Sequence, residues 1–406
     1  MAKLAAATIN IFFFLLLLLL MHLHGQHCQA AAAADAVFHG GERGRGIMMG
    51  VRKAMFVFGS SLVDNGNNNH INGSGVRADY PPYGVDFPLG ATGRFSNGRN
   101  AVDALGELLR LPALIPPFSD PATRGVAALH GVDFASGGSG ILDLTGHNTG
   151  EVLSLRQQIT NFAAVTLPDL RAQLQRSTAR TTTGHKMKGQ DFFDWYYLPK
   201  SLFVIGTGGN DYLLNYFNPR SSEPTRPPLS EFTSSLLTKL SNHLQRLYDL
   251  GARKFVLFSI QPLGCTPVVR AFLNVTSEDC IEPMNNAALL FNSGLRSLIR
   301  HANGGKRSRM SGARFVYVNS YKVISDMIHH PAKYGIRDTS RACCEVSSGG
   351  VLCQKGGPIC RDRTKYAFFD GLHPTEVVNA RLARKAYGSN SPDEVYPMNV
   401  KKLSML

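Results

Sequence analysis

Short apolar runs alternate with amphipathic stretches along most of this chain, and that alternation limits the available folds more than any other feature. Ala54 to Phe58, Ser201 to Ile205, Arg253 to Ile260 and Arg314 to Val318 are short and rich in Val, Phe, Leu and Ile, so they read as buried strands. Between them, Leu229 to Leu250 sets Phe232, Leu236, Leu237, Leu240, Leu244 and Leu247 at helical spacing, with Gly251 placed to end the helix. Asn100 to Leu109, Pro283 to Ile299 and Thr375 to Tyr387 read as helices too. Strands and helices in this order predict an α/β fold, a parallel sheet with helices on both faces.

Of the 406 residues, 44% are hydrophobic and only 18% charged, so a sizeable core can be buried and a disordered chain is excluded. The amino end has Lys3, an uninterrupted apolar stretch from Ile11 to Met21, and small residues around Ala30 to Ala34. That is the layout of a secretory signal peptide, whereas a membrane span needs about 20 apolar residues. No later segment is long and apolar enough to cross a bilayer. The chain therefore divides into a signal peptide at 1–30, a poorly ordered Ala/Gly-rich lead-in at 31–53, one folded domain at 54–390, and a C-terminal tail at 391–406. There is no internal repeat and no interdomain linker. Arg176 to Gln190 reads as a polar surface loop.

Cysteine usage agrees with secretion. Cys28 leaves with the leader, and the remaining six form an even set suited to disulfides. Proximity pairs Cys265 with Cys280 and leaves Cys343, Cys344, Cys353 and Cys360 to cross-link one loop. The adjacent Cys343-Cys344 pair lacks the C-x-x-C spacing of zinc sites, so no metal is expected. Asn72-Gly73-Ser74 and Asn274-Val275-Thr276 are glycosylation sequons compatible with the secretory route. A formal charge of +14 suits an acidic polysaccharide matrix, and a secreted chain is a poor partner for nucleic acid. The small run Lys306-Arg307-Ser308-Arg309 reads as a solvated loop.

Four blocks carry chemistry: Phe58 to Asn68, Asp133 to Gly138, Gly208-Gly209-Asn210-Asp211, and Asp370-Gly371-Leu372-His373-Pro374. Three of them follow apolar runs, at the sheet edge where α/β proteins gather ligands. A serine hydroxyl becomes a nucleophile when an imidazole takes its proton, and the imidazole needs a carboxylate to fix its tautomer. Asp370 and His373, three residues apart in one turn, can form that pair, and Ser61 supplies the hydroxyl. Pro374 is placed to start a helix at Thr375 that would support the imidazole. The amides of Ser61 and Gly137 and the side chain of Asn210 can hold an oxyanion. Each block alone is an ordinary turn or cap signal; only the ensemble is specific. A G-x-S-x-G elbow occurs nowhere in the chain, which sets aside a conventional α/β-hydrolase.

With these residues in view, the chain resembles the plant-type GDSL esterase/lipases of the SGNH hydrolase superfamily, from about Met55 to about Tyr387. Gly93 to Arg99, Gln261 to Cys265 and Phe368 to Glu376 carry the likeness alongside the four blocks. The resemblance implies a three-layer α/β/α fold and hydrolysis of carboxylic esters without metal or other cofactor. It also implies Ser61 as nucleophile, Asp370 and His373 as its partners, and Gly137 and Asn210 in the oxyanion hole. The expected partner is an ester, either an acyl lipid or an acetylated wall polysaccharide, and the expected state is a monomer. One departure stands out: the name-giving motif has Asp before the serine, and this chain has Ser60. That exchange motivates the rival reading, a binding protein that kept the fold and lost turnover. Phe369 replaces the Trp that plant relatives often carry, a mild apolar exchange.

Overall fold

Four parallel strands and one short antiparallel strand make the central sheet of the computed structural model, which describes residues 54–175, 178–180, 186–218, 226–272, 279–305, 308–347 and 350–406. The signal-peptide and lead-in readings, and the sequon at Asn274, lie outside the described residues. Strands β1 (Met55–Gly59), β2 (Leu202–Gly206), β3 (Lys254–Phe258) and β4 (Arg314–Val318) lie side by side in that order. Their register is even, with Met55 opposite Leu202, Leu202 opposite Lys254, and Lys254 opposite Arg314. Their ends therefore line up as one edge. On the outer side of β1 the chain around Asp133 runs parallel to it, held by Val57 N–H to Val132 O at 3.0 Å and Phe134 N–H to Val57 O at 2.8 Å.

Successive strand residues point to opposite faces, and this sheet uses the two faces differently. Phe56, Phe58, Phe203, Phe255 and Phe315 share one face with the apolar sides of α2 (Leu155–Asn161, helical onward to Leu174), α3 (Leu229–Asp249) and α4 (Glu282–Ala302). Phe162 packs among Phe56, Phe58 and Phe203, and Phe255 stacks on Phe315 with centroids 4.4 Å apart. Met55, Val57, Val204, Val256, Val316 and Val318 face the other way. There they meet α1 (Ala101–Leu108), α5 (Ser320–His329), α6 (Glu376–Gly388) and α7 (Val400–Met405). The fold is the three-layer α/β/α arrangement anticipated, and each anticipated strand and helix lies within a few residues of its place. Two residues after α3 ends at Asp249 comes Gly251, whose φ of +113° is open to glycine at little cost.

Two stretches differ from the sequence reading. Within Arg176 to Gln190, Thr178–Arg180 pairs antiparallel with Lys186–Lys188, where a loop was expected. Residues 391–406, read as a tail, are built into the core. Strand β5 (Val395–Tyr396) pairs antiparallel with β4, and α7 buries Val400 and Leu403. The three residues buried here, Val395, Val400 and Leu403, are spread over nine positions and give too weak a period to be read as an element.

The six cysteines form three disulfides, Cys265–Cys280, Cys343–Cys360 and Cys344–Cys353. Among the described residues no helix is long and apolar enough to cross a membrane.

Candidate active site

Strand β1 delivers Ser61 to the carboxyl edge through a turn that only glycine permits. Gly59 has φ +144°, and a Cβ there would lie 2.1 Å from the Gly206 carbonyl oxygen on β2. Gln158 fixes both peptides that flank the Gly59 Cα, accepting from Gly59 N–H at 2.8 Å and donating to Gly59 O at 2.9 Å. Ser60 N–H donates to Gly206 O at 3.0 Å. Ser61 leaves this turn buried but aimed at the imidazole: its Oγ is 2.7 Å from His373 Nε2.

The other imidazole nitrogen meets Asp370, with Nδ1 at 2.8 and 2.9 Å from the two carboxylate oxygens. Asp370 is itself fully engaged. Its Oδ1 accepts from the backbone of Leu372 and His373 at 2.8 and 2.7 Å, and its Oδ2 accepts from the Tyr83 hydroxyl at 2.7 Å. Burial, together with the adjacent Asp370 charge, pushes the Tyr83 phenol well above its usual range, so it stays a neutral donor. A carboxylate held this way keeps the proton of the imidazole on Nδ1 and leaves Nε2 as the acceptor for the serine hydroxyl.

The Asp/His turn is braced from three directions. Phe95 lies against the imidazole with ring centres 5.0 Å apart. Gly371 N–H donates to Val351 O at 2.8 Å, and Tyr83 accepts from Cys353 N–H at 3.1 Å, tying the turn to the disulfide-bonded loop. Gln261 Nε2 donates to Leu372 O at 3.0 Å. Helix α6 starts at Glu376, one residue later than anticipated, with Thr375 as N-cap; Asn97 Oδ1 accepts from Glu376 N–H at 2.9 Å. The stretch Gly93 to Arg99 is thus a bracket: Phe95 on the imidazole, Ser96 donating to Pro374 O, Asn97 on α6, and Arg94 bound through two nitrogens to Asp103 at 2.7 and 2.8 Å.

The candidate oxyanion donors are only partly as anticipated. Asn210 gives one amide hydrogen to Ser139 O at 2.9 Å, which orients the group and leaves the second hydrogen for the cleft. Ser61 N–H has no partner among the described residues. Gly137 is corrected: its N–H donates to Asp64 Oδ2 at 2.9 Å and is therefore occupied. The next residue, Gly138, lines the cleft with Ser61, Asn210 and His373, and its N–H has no partner among the described residues.

Asp64 was present in the first block without a stated role. It is fully buried and accepts from Gly66, Asn67 and Gly137 N–H at 2.7, 2.8 and 2.9 Å, so it ties the nucleophile turn to the glycine turn. Burial raises it to about 6, against the opposing pull of those bonds and of Arg94. Asn67 and Asn68 add side-chain bonds to the carbonyls of Ala135 and Gly137 at 2.8 and 2.9 Å. Asp211, in the third block, does likewise for the following loop, accepting from Ile141, Leu142 and Thr145; burial raises it to about 6 as well. Nothing local in the sequence distinguishes Tyr83 or Gln158 from other core residues. Asn72 is exposed on the surface.

A cleft of about 1470 Å³, counted with its open mouth, leads to Ser61 and His373. Leu213, Phe217, Val269, Phe272, Met284 and Leu352 are on its wall, and among the described residues no Asp, Glu, Lys or Arg lines it. The arrangement can transfer a proton from serine to imidazole beside unpaired donors, in a site that admits apolar groups.

The GDSL-like Lipase/Acylhydrolase family model matches residues 55–386. Two Arabidopsis thaliana proteins named as GDSL esterase/lipases are each 40% identical over 358 residues, spanning 87% of this chain and 89% and 88% of their own. A third, also named as a GDSL esterase/lipase from Arabidopsis thaliana, is 38% identical over 354 residues, 86% of this chain and 91% of its own.

Proposed function

This chain belongs to the GDSL-like lipase/acylhydrolase family and is a carboxylic ester hydrolase, and on that premise we propose that it cleaves esters of lipophilic acyl groups by a serine acyl-transfer mechanism. His373 takes the proton of Ser61 as the hydroxyl oxygen attacks the ester carbonyl, and Asp370 stabilises the imidazolium that forms. The oxyanion rests on the N–H groups of Ser61 and Gly138 and the free hydrogen of Asn210. His373 returns its proton to the departing alcohol; water then attacks the acyl-enzyme, with His373 again as base. The observation that carries this reading is the 2.7 Å contact between Ser61 Oγ and His373 Nε2, groups 312 residues apart in sequence.

The described wall of the cleft, apolar and without Asp, Glu, Lys or Arg, favours acyl lipids over acetylated polysaccharide as substrate. Ser60 makes no hydrogen bond to Ser61, Asp370 or His373, so its presence in place of Asp gives the binding-protein reading little support. Three disulfides and an exposed Asn72 sequon are consistent with passage through the secretory pathway.

The test is labelling of the purified protein with a fluorophosphonate, alongside hydrolysis of triacylglycerols and acetylated xylan. We expect labelling that disappears in Ser61→Ala, and turnover of the lipid esters. A folded wild type that takes no label defeats the mechanism, and turnover confined to acetylated xylan defeats the substrate assignment.

A further inference from the structure

The sequon Asn72-Gly73-Ser74 takes no part in the proposed mechanism, yet the fold sets it beside the cleft. Gly75 and Val76, the two residues that follow it, line the cleft together with Gly138 and Thr149. Three residues of chain span at most about 11 Å, so the Asn72 Cα lies within that distance of the Gly75 Cα on the cleft wall.

Hydrogen bonds fix the segment there. Gly75 N–H donates to Thr149 O at 3.2 Å, and Glu151 N–H donates to Gly73 O at 3.1 Å. Asn68 Nδ2 lies 3.3 Å from Ser74 Oγ and donates to Val76 O at 2.8 Å and Gly137 O at 2.9 Å, so the sequon and the glycine turn share one tether. At the tip, Ser74 N–H donates to Ile71 O at 3.3 Å and closes a turn with Asn72 and Gly73 at its centre, both of them exposed. The Asn72 carboxamide makes no hydrogen bond among the described residues. An exposed, unengaged amide in such a turn is open to glycosylation wherever the chain follows the secretory route.

We infer that Asn72 carries an N-linked oligosaccharide that screens the mouth of the catalytic cleft, slowing attack on aggregated lipid while single dissolved esters keep their path to Ser61. The inference rests on the esterase and secretory readings. In the modification, the Asn72 amide nitrogen bonds to the anomeric carbon of an oligosaccharide carried on a polyprenyl pyrophosphate. The carbon–oxygen bond to the pyrophosphate breaks, the nitrogen gives up one proton, and the polyprenyl pyrophosphate leaves. The screen follows from what the mouth offers a lipid surface: Phe272 on the cleft wall is 57% exposed, and Leu213, Phe217 and Leu352 are partly exposed. Exposed apolar groups favour contact with a lipid phase. A bulky, hydrated oligosaccharide on the adjoining turn would have to shed water to share that contact, which opposes it.

The experiment expresses the full chain through the secretory pathway of plant cells and compares wild type with Asn72→Gln, Ser74→Ala and Ser74→Thr. Site-resolved peptide mass reads the modification, and hydrolysis of one acyl ester, dissolved and emulsified, reads the screen. Wild type and Ser74→Thr, which keeps the sequon, should carry the oligosaccharide at Asn72. Asn72→Gln and Ser74→Ala should hydrolyse the emulsion at least about threefold faster than wild type and the dissolved ester at an unchanged rate. An unmodified Asn72 in wild type overturns the proposal, and so does an emulsion rate that is the same with and without the oligosaccharide. Flotation of Ser61→Ala on the emulsion, with and without Asn72→Gln, reads the screen apart from the chemistry. More of the double variant on the lipid upholds the screen even if wild type hydrolyses neither form of the ester, an outcome that defeats the esterase reading alone. Equal flotation defeats the screen alone.

Discussion

Tyr83 shows how much of the site rests on side chains that do no chemistry. Its hydroxyl donates to Asp370 and accepts from Cys353 N–H, so Tyr83→Phe leaves the ring in place and removes both bonds. Hydrogen bonds to charged groups are worth about 1.5–3 kcal/mol, which sets the expected fall in kcat at about 10- to 100-fold with little change in KM. Steady-state kinetics on a soluble ester, with thermal unfolding as the control for folding, checks it. Asp64 acts at longer range, through the turn that presents Gly138. As a carboxylate it can accept all three N–H groups; once protonated it offers one acceptor fewer, and Gly137 loses its hold. Activity should therefore decline as pH falls through about 6. Stability moves the other way. Below the ordinary carboxylate range both folded and unfolded chains are protonated; as pH rises to about 6 the unfolded chain ionises first, so the contribution of Asp64 to stability is full at low pH and is lost through about 6. Asp64→Asn, which puts an amide nitrogen where an acceptor is needed, should lower kcat and remove the decline in activity that Asp64 contributes near pH 6. An acid limb unchanged in the variant would remove Asp64 from the pH response. That Ser61, Asp370, His373 and Asn210 would meet was legible in sequence, because the chemistry proposed for them demands particular residue types in a particular order. Tyr83 and Gln158 were not, because a buried aromatic or amide announces itself only through partners far along the chain.

Among the elements, the loop from Cys343 to Cys360 is the one whose mechanical role the sequence concealed. Its cysteines were readable as a cross-linked loop, but neither the nesting of Cys344–Cys353 inside Cys343–Cys360 nor the purpose of the loop could be read from spacing. The structure supplies the purpose: Val351 O and Cys353 N–H reach the Asp/His turn directly or through Tyr83, and Cys343, Cys344 and Cys353 pack with Tyr83, Phe95 and Phe369. Replacing Cys344 and Cys353 together by serine opens a short covalent loop, an expected cost of about 2–4 kcal/mol. Because the loop braces His373, kcat should fall in this variant even at temperatures where circular dichroism shows a native fold. A variant with lowered melting temperature and full kcat below it would make the disulfide a global staple with no part in positioning the imidazole. The strands present the opposite case. Continuous apolar runs carry their own evidence, and four of the five strands of the central sheet were found; β5 has two residues and borrows its partner from β4.

At the scale of the molecule, the sheet is asymmetric, and its two faces depend on different parts of the chain. The aromatic face is covered by helices drawn from the middle of the sequence, between Leu155 and Ala302. The valine face is covered by α1 from the first third and by α5, α6 and α7 from the last third, so the helix that follows His373 is held against the same face as the chain terminus. Val395, Val400 and Leu403 are buried there, at 3%, 0% and 0% exposure. Burial of such side chains contributes about 1.5–3 kcal/mol each. Three of them are worth about as much as the whole net stability of a typical domain, 5–15 kcal/mol. Truncation after Ser389 should therefore give a protein that is largely unfolded or insoluble, though every residue of the proposed mechanism remains in it. Solubility on expression and the unfolding midpoint of any soluble fraction are the measurements to make. A truncated protein that keeps the wild-type midpoint would show that β5 and α7 lie on the sheet without supporting it, and would restore the reading of 391–406 as a tail.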